Sequence, residues 1–412
     1  MPHPPYTHAV LRALPKSDLH CHLDGSLRLE TLIDLAKRSG VTLPSYTPEG
    51  LQELVFKEQY RDLPDYLQGF AYTCGVMRDA EAIERVSYEL AKDCIAENTL
   101  YLEVRFAPQL LVHQGLDLAG VLRAVDLGLD RARREHEAHP DVASGLVPPF
   151  RYGIIACAMR MFSEGFGPWY AGLLGTLEGW PQTEAFGIAS LTLARQVVDA
   201  RDRLGIPIVG FDLAGAEAGH PAADHIEAYA FAHKHFMKKT VHAGEAYGPE
   251  SIFQAITKLH ADRIGHGTRL FESGEVGDAD DPARYVQQLA GYIADRRIVL
   301  EVCVTSNMQT MPHLRRVEDH PVGRMVHERL SVAICTDNRL VSRTTSTDEL
   351  FKVANAFKFD PSELRNVILH GFKRSFFSGT YLEKRAYVRQ VIDHYDRVAA
   401  EHDLGVGMRG GG

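Results

Sequence analysis

Short apolar runs rich in β-branched residues alternate along the chain with longer stretches whose apolar positions recur every three to four residues. The first pattern is typical of buried strands and the second of amphipathic helices, so their alternation predicts a parallel α/β fold. Helical periodicity extends over Ala80–Glu97, Leu118–Glu137, Ser190–Leu204 and Pro249–His260. Eight runs are predicted as strands: Lys16–His22, Leu100–Ala107, Tyr152–Met159, Ile206–Leu213, Thr240–Ala243, Arg263–Gly267, Ile298–Val304 and Ser331–Thr336.

Eight strands separated by helices predict a single (β/α)₈ TIM barrel, and two helical segments exceed what that barrel needs. Leu27–Arg78 forms a helical insertion after strand 1, and Ser346–His402 adds extra helices at the C-terminal end. We predict one domain over residues 11–402. The proline-rich start predicts a flexible arm over residues 1–10, and the glycine-rich end predicts a flexible tail over residues 403–412.

Composition narrows the class of partner and the compartment. The net charge of −9 argues against a nucleic-acid partner, because binding phosphates needs a basic surface. Six cysteines without a C-x-x-C pair indicate a reduced, cytoplasmic protein. No apolar run approaches the roughly 20 residues that span a bilayer, and Met1–Pro5 lacks the regions of a signal peptide. We therefore expect a small-molecule partner and no membrane.

Polar side chains gather where the predicted strands end. The first strand carries His20 and His22, which share one face of an extended chain, and Asp24 follows them. Because these barrels form active sites at the carboxyl ends of their strands, we expect such residues to converge on one site. Later strands end in Asp212-Leu213-Ala214-Gly215, His242-Ala243-Gly244-Glu245, Gly265-His266-Gly267 and Thr336-Asp337-Asn338.

Three histidines and one carboxylate form a candidate ligand set for one metal ion per chain. Neutral imidazoles combined with a carboxylate favour Zn²⁺, which lowers the pKa of bound water from 15.7 to about 7. Taken singly, His242 has an ordinary explanation as a core histidine and Asp337 as a helix cap. Their joint occurrence at matching strand ends favours a site. The candidate ligands are His20, His22, His242 and Asp337.

Two further residues are candidates for proton transfer and for orienting the nucleophile. Glu245 lies three residues past His242, close enough to face a bound substrate, and burial would raise its pKa toward that of a general acid. His266 lies between two glycines that leave room around its ring. It is the candidate to hydrogen-bond the attacking water.

Together these segments resemble the adenosine deaminase family of zinc hydrolases, and the resemblance extends from about Leu14 to Lys358. It implies a mononuclear zinc site in a (β/α)₈ barrel, with His20, His22, His242 and Asp337 as ligands. It also implies that Glu245 protonates purine N1 while activated water adds to C6 and ammonia leaves, with His266 orienting the attacking oxygen. Supporting segments are Tyr101-Leu102-Glu103-Val104-Arg105-Phe106-Ala107-Pro108 and Cys303-Val304-Thr305-Ser306-Asn307.

The resemblance places His22, Asp24, Gly215 and Asn338 against the substrate. Asp24 would contact the ribose hydroxyl end, and the main-chain N–H of Gly215 would reach purine N3. Asn338 stands where the family pattern commonly has a second aspartate. An amide can donate from its NH₂ group to purine N7 without sharing a proton, so purine recognition is retained.

The activity implied by the resemblance is hydrolytic deamination of adenosine, and of 2′-deoxyadenosine, to the inosine product and ammonia in purine salvage. Alternative substrates are adenine, N6-methyl-AMP and aminodeoxyfutalosine, although Asp24 weighs against a 5′-phosphate by repulsion. A zinc-containing binding protein without turnover is a different class of function, and Glu245 and His266 argue against it. Another amidohydrolase, such as a cytosine or guanine deaminase, would be expected to differ around Gly215 and Asn338.

Overall fold

A computed structural model describes residues 5–277 and 279–405. Within these residues, eight strands form one sheet in which every neighbouring pair is parallel and the order follows the chain from β1 to β8. The predicted (β/α)₈ barrel is therefore confirmed. The strands are β1 (Lys16–His22), β2 (Thr99–Phe106), β3 (Arg151–Met159), β4 (Ile208–Ala214), β5 (Lys238–Ala243), β6 (Arg263–His266), β7 (Val299–Val302) and β8 (Ser331–Ile334).

The junction between β1 and β8 closes the sheet through backbone hydrogen bonds at the end of β1. The His22 N–H donates to the Asp337 carbonyl at 2.7 Å, and the Asp337 N–H donates to the His20 carbonyl at 2.8 Å. Asp337 thus joins the last strand segment to the first, while its side chain remains at the carboxyl end of the strands.

Most predicted element boundaries differ from the observed ones, and two of these differences have clear local reasons. β4 begins at Ile208 rather than Ile206, because Pro207 has no N–H to give to a sheet ladder. The helix predicted from Ser190 begins at Gln182, since its exposed first turn lacks the apolar periodicity used to find it.

Helices cover the outside of the barrel, and several begin at side-chain caps. Asp79 and Asp117 cap two long helices by accepting backbone N–H groups of their first turns. The helices of the described residues are α1 (His8–Ala13), α2 (Leu29–Ser39), α3 (Pro48–Leu54), α4 (Leu63–Leu67), α5 (Phe70–Val76), α6 (Ala80–Ala96), α7 (Leu118–Glu137), α8 (Pro140–Ala143), α9 (Pro168–Thr176), α10 (Gln182–Leu204), α11 (Ile226–Lys234), α12 (Pro249–Thr257), α13 (Pro282–Arg296), α14 (Val304–Thr310), α15 (Val322–His327), α16 (Ser346–Ala356), α17 (Pro361–Arg374) and α18 (Tyr381–Glu401).

The two extra helical segments lie where the sequence predicts them. Helices α2 to α5 make up the insertion after β1, and α16 to α18 follow β8. Helix α17 packs against both β1 and β8, so it covers the junction from outside. No helix of the described chain has the length and apolar character needed to cross a membrane.

The structure describes residues 5–10 of the expected flexible arm, and these residues are packed rather than free. Tyr6 is buried, its N–H donates to the Asn355 side chain at 2.7 Å, and its hydroxyl donates to the Phe359 carbonyl at 3.0 Å. Helix α1 then begins at His8 and packs on α16. Residues 5–10 therefore pack on the domain, because a buried aromatic ring and two hydrogen bonds hold them. Residues 1–4 and 406–412 of the expected arm and tail lie outside the described residues.

Candidate active site

Two imidazoles at the carboxyl ends of β1 and β5 are oriented by buried carboxylates. His20 Nδ1 lies 3.0 Å from Glu301 Oε2, and His242 Nδ1 lies 3.0 Å from Asp212 Oδ2. A carboxylate facing Nδ1 places the ring proton there, which leaves the Nε2 lone pair free. His20 Nε2 is buried and has no hydrogen-bond partner. The imidazole rings of His20 and His242 lie close together, with 4.5 Å between their centroids. A bound cation would give His20 Nε2 the partner that it lacks.

His22 and Asp337 complete the cluster from the junction of β1 and β8. His22 Nε2 lies 3.2 Å from His242 Nε2 and 3.5 Å from Asp337 Oδ1, and the same carboxylate oxygen is 3.5 Å from His20 Nε2. Burial alone would raise the pKa of Asp337, but the adjacent His20 and the other imidazoles nearby hold it well below its ordinary range. Three imidazole nitrogens and one ionised carboxylate form a donor set that fits Zn²⁺.

A buried guanidinium links the two orienting carboxylates. Arg105 on β2 donates to Asp212 at 2.9 Å and to Glu301 at 2.7 Å, and all three side chains are shielded from solvent. Burial would raise the pKa of Asp212, but the neighbouring His242 imidazole and the Arg105 guanidinium lower it well below its ordinary range. The five side chains form a continuous chain of contacts from one imidazole, through Arg105, to the other.

His266 also lies in the cluster, but its own hydrogen bonds assign its proton to the nitrogen that faces the site. The Val322 N–H can only donate, and it donates to His320 Nδ1 at 3.1 Å, so His320 carries its proton on Nε2. That Nε2 lies 3.2 Å from Asn307 Oδ1, which turns the NH₂ group of Asn307 toward His266 Nδ1 at 3.1 Å.

His266 Nδ1 therefore accepts, and its Nε2 carries the proton. The ligand atoms of His20, His242, His266 and Asp337 all lie within 4.8 Å of one another, so proximity alone would admit His266 as a metal ligand. A protonated Nε2 is a donor without a free lone pair. Burial and the neighbouring His20 hold the pKa of His266 well below its ordinary value, so the ring is neutral. The chemistry of the cluster favours His22 as the ligand and His266 as a hydrogen-bond donor.

Glu245 is buried beside His266 and is held in its protonated form near neutral pH. The nearer carboxylate oxygen lies 3.6 Å from His266 Nε2. Burial and, next, the negative charge of Asp337 raise the pKa of Glu245 to about 8. A carboxylic acid with this pKa can donate a proton at neutral pH.

The remaining predicted residues line the same cavity. Asp24 Oδ1 is buried without a hydrogen-bond partner, 3.9 Å from His22 Nδ1, and burial raises the pKa of this side chain to about 7. Gly215 follows β4 with φ +96°, a conformation that favours glycine. The NH₂ group of Asn338 already donates to the Tyr66 hydroxyl at 2.8 Å, which leaves one of its two N–H groups for a ligand.

These residues line a cavity of about 610 Å³. That volume lies within the range of small-molecule sites. The rest of the lining is largely apolar and comes from two places: Leu63, Leu67 and Phe70 of the insertion, and Met159 and Phe166 at and after the end of β3. All nine predicted site residues are therefore brought together at the carboxyl end of the barrel, with His20 at the base of the cluster.

The backbone at the site adopts conformations that non-glycine residues rarely use. His266 has φ +63° and Asp337 has φ +60°, both in the left-handed region. Such a conformation costs of the order of 1–3 kcal/mol and persists only where the surroundings fix it. The strain falls on two residues whose side chains reach the centre of the cluster.

Sequence reasoning missed the residues that orient this cluster. Arg105 and Glu301 have no role assigned from the sequence, and Asp212 is recognised only as part of a segment. A signal for the first two exists, because a charge within an apolar strand is rarely buried without a partner. The identity of the partner comes only from the fold.

This chain matches a family model and curated relatives over most of its length. The family model described as "Adenosine deaminase" matches residues 15–164 and 186–394. An adenosine deaminase of Mycolicibacterium vanbaalenii is 35% identical over 390 residues, covering 94% of this chain and 97% of that protein. One of Mycobacterium marinum is 34% identical over 386 residues, covering 93% and 95%.

Solved structures share the barrel at lower sequence identity. An adenine deaminase from Arthrobacter aurescens has a TM-score of 0.72 and 21% identity, covering 92% of this chain and 98% of that one. A zinc-bound amidohydrolase from Burkholderia ambifaria has a TM-score of 0.73 and 19% identity, covering 96% and 94%. At this identity the likeness establishes the fold.

Proposed function

The chain belongs to the adenosine deaminase family, and on that premise we propose that it hydrolyses adenosine and 2′-deoxyadenosine to the corresponding inosine and ammonia. The proposal is carried by one observation: a buried carboxylic acid, Glu245, lies beside a cluster of imidazoles whose free nitrogens face one another. This combination supplies an acid and a place for a cation in a single cavity.

His20, His22, His242 and Asp337 would hold one zinc ion. The ion would act as a Lewis acid that lowers the pKa of water to about 7. Asp212 and Glu301 keep the protons of His242 and His20 on Nδ1, so that the Nε2 lone pairs remain available. The carboxylate of Asp337 stays ionised because its pKa is held low.

Proton transfer to the purine falls to Glu245. With a pKa near 8 it is protonated at neutral pH and can donate to N1 as negative charge develops on the ring. The Nε2–H group of His266 donates to the attacking oxygen and so orients it toward C6. After donating its proton, the Glu245 carboxylate would receive the proton of the attacking oxygen and pass it to the amino group, which leaves C6 as ammonia.

Substrate recognition would use polar groups of three residues that line the cavity. Asp24 Oδ1 would accept a hydrogen bond from a ribose hydroxyl, the Gly215 N–H would donate to N3, and the second N–H of Asn338 would donate to N7. An unpartnered buried carboxylate oxygen calls for a donor, and a hydroxyl is a donor whereas a phosphate at neutral pH is not. This favours a nucleoside over N6-methyl-AMP.

The test is a comparison of substrates with purified, zinc-loaded protein, following the ultraviolet change of deamination. Adenosine and 2′-deoxyadenosine are expected to give the highest kcat/KM, ahead of adenine, N6-methyl-AMP and aminodeoxyfutalosine. Glu245→Gln should lose at least 100-fold in kcat while retaining its metal, since an amide cannot donate the required proton. A preference for adenine or a nucleotide would refute the assigned substrate, and wild-type turnover in Glu245→Gln would refute the assigned acid.

A further inference from the structure

The loop that follows β5 is held by a single carboxylate from the loop that follows β4. Four consecutive backbone N–H groups, those of residues 244 to 247, donate to Glu217 at 2.9, 3.0, 2.7 and 3.0 Å. The hydroxyl of Ser251, near the start of α12, donates to the same side chain. Glu217 is only 4% exposed, so these five donors take the place of water.

Successive N–H groups that converge in this way form a concave site for an anion. Here the carboxylate of Glu217 occupies that site. The conformation requires Gly244, which has φ +71° and where an added Cβ would come within 2.6 Å of Ile252. A buried carboxylate needs compensation by hydrogen bonds or charge, and the nearby guanidinium of Arg160 acts on Glu217 as well.

Arg160, at the end of β3, holds the same loop from its other end. Its guanidinium donates to the His242 carbonyl at 2.6 Å and to the His220 carbonyl at 2.6 Å. The segment from His242 to residue 247, which includes Glu245, is therefore fixed at both ends by opposite charges. Glu217 itself lies two residues beyond Gly215, so the loop that lines the cavity at Gly215 and the loop that carries Glu245 share this contact.

We propose that Glu217 is the positioning residue for Glu245: by binding the amides of residues 244 to 247, its carboxylate fixes the backbone from which the acid reaches the cavity. Glu217 does not line the cavity, and its carboxylate is occupied by these donors. Its contribution to the reaction passes through the position of Glu245. A misplacement of about 1 Å in a reacting group can cost 10²-fold in rate.

The experiment compares Glu217→Gln and Glu217→Ala with the wild-type enzyme loaded with zinc. In Glu217→Gln the amide nitrogen cannot accept, so fewer of the five donors keep a partner, and in Glu217→Ala none does. We expect kcat for adenosine to fall about 100-fold in Glu217→Ala and less in Glu217→Gln. KM and zinc content should change less than threefold, because the ligands and the substrate contacts remain.

Hydrogen exchange of the backbone supplies a readout that needs no turnover. Peptides covering residues 244 to 247 should exchange at least tenfold faster in both variants. Glu97→Gln is the matched control, because Glu97 is also a buried carboxylate that accepts two backbone N–H groups, those of Ser346 and Thr347. It should leave exchange at residues 244 to 247 unchanged.

A shift in the pH profile separates positioning from loss of fold. Asp337 and Glu217 raise the pKa of Glu245, whereas His242 and Arg160 lower it. Removing the Glu217 charge should therefore move the alkaline limb of kcat/KM to lower pH. A variant that is merely unstable would lose active protein and keep the limb in place.

The kinetic arm rests on the proposed function, and the exchange arm does not. If the wild-type protein fails to deaminate adenosine, the proposed function fails while hydrogen exchange still tests the contact. If exchange at residues 244 to 247 is unchanged in Glu217→Ala, or if folded Glu217→Ala keeps kcat within threefold of wild type, the inference is overturned.

Discussion

Replacing Arg105 by glutamine should weaken zinc binding although Arg105 touches no ligand atom of the cluster. The guanidinium donates to the two carboxylates that orient His20 and His242, and also to the Leu19 carbonyl at 2.5 Å. Without it, Asp212 and Glu301 remain buried and each loses a cationic partner. Both carboxylates are then free to turn away from the imidazoles.

The magnitude follows from the number of imidazoles that lose their orientation. Loss of one outer-shell partner typically costs 10–100-fold in metal affinity, so two give about 10²–10⁴-fold, or about 3–6 kcal/mol. Breaking a buried ion pair by removing one partner also costs about 3–5 kcal/mol of folding stability. The two effects are measured separately.

Zinc affinity is obtained by competition with a chromophoric chelator, and stability by urea unfolding of the metal-free protein. Arg263→Gln is the matched control: its guanidinium is equally buried and bonds Glu301, but at Oε1 rather than at the Oε2 that faces His20. It should lose stability and keep zinc affinity within about tenfold. An equal loss of zinc affinity in both variants, or no loss in Arg105→Gln, would show that zinc affinity does not depend on the bridge between the two carboxylates.

Three further outcomes are expected. Because Glu245 must be protonated to donate and its pKa is about 8, kcat/KM should fall about tenfold per pH unit above pH 9, and a pH–rate profile of Glu245→Gln should lack this limb. Removing zinc with a chelator should abolish deamination and lower the Tm by about 5 °C for an ion present at 1,000 times its Kd, with both restored by added Zn²⁺. Asn338→Ala should lower kcat/KM by about 10–150-fold, equivalent to about 1.5–3 kcal/mol for a lost bond to the base, and an unchanged kcat/KM would remove Asn338 from the site.

The barrel and the ring of site residues were predictable because they depend on local patterns. Alternating apolar runs mark strands without reference to partners, and parallel strands bring their carboxyl ends together whatever the loops do. Thus His20, His242 and His266 could be assigned to one site, although more than half the chain separates the first from the last. The boundary of β4 at Ile208 depends on Pro207, a local cause that the apolar pattern alone does not weigh.

What could not be predicted depends on pairs of residues that are distant in sequence. In the sequence, nothing distinguishes Glu217 from any other acidic residue of a polar loop. Its contacts with residues 244 to 247 exist only in the folded chain. The proton on His266 Nε2 follows from a backbone N–H at Val322 that acts through His320 and Asn307. No periodicity or motif spacing records such a relay, because each link joins a different element.

The junction of the first and last strands has a consequence for biosynthesis. Thr336 donates to Asp18 at 2.6 Å across 318 positions of sequence, next to the backbone bonds made by Asp337. At 5–20 residues per second, a ribosome needs roughly 15–60 s to produce the strand that pairs with the open edge of β1. During that interval the nascent protein exposes a strand edge that invites wrong pairing, and it carries two histidines without the carboxylate that completes their set. Under the proposed function, catalytic competence therefore arrives only after the chain has emerged as far as Asp337.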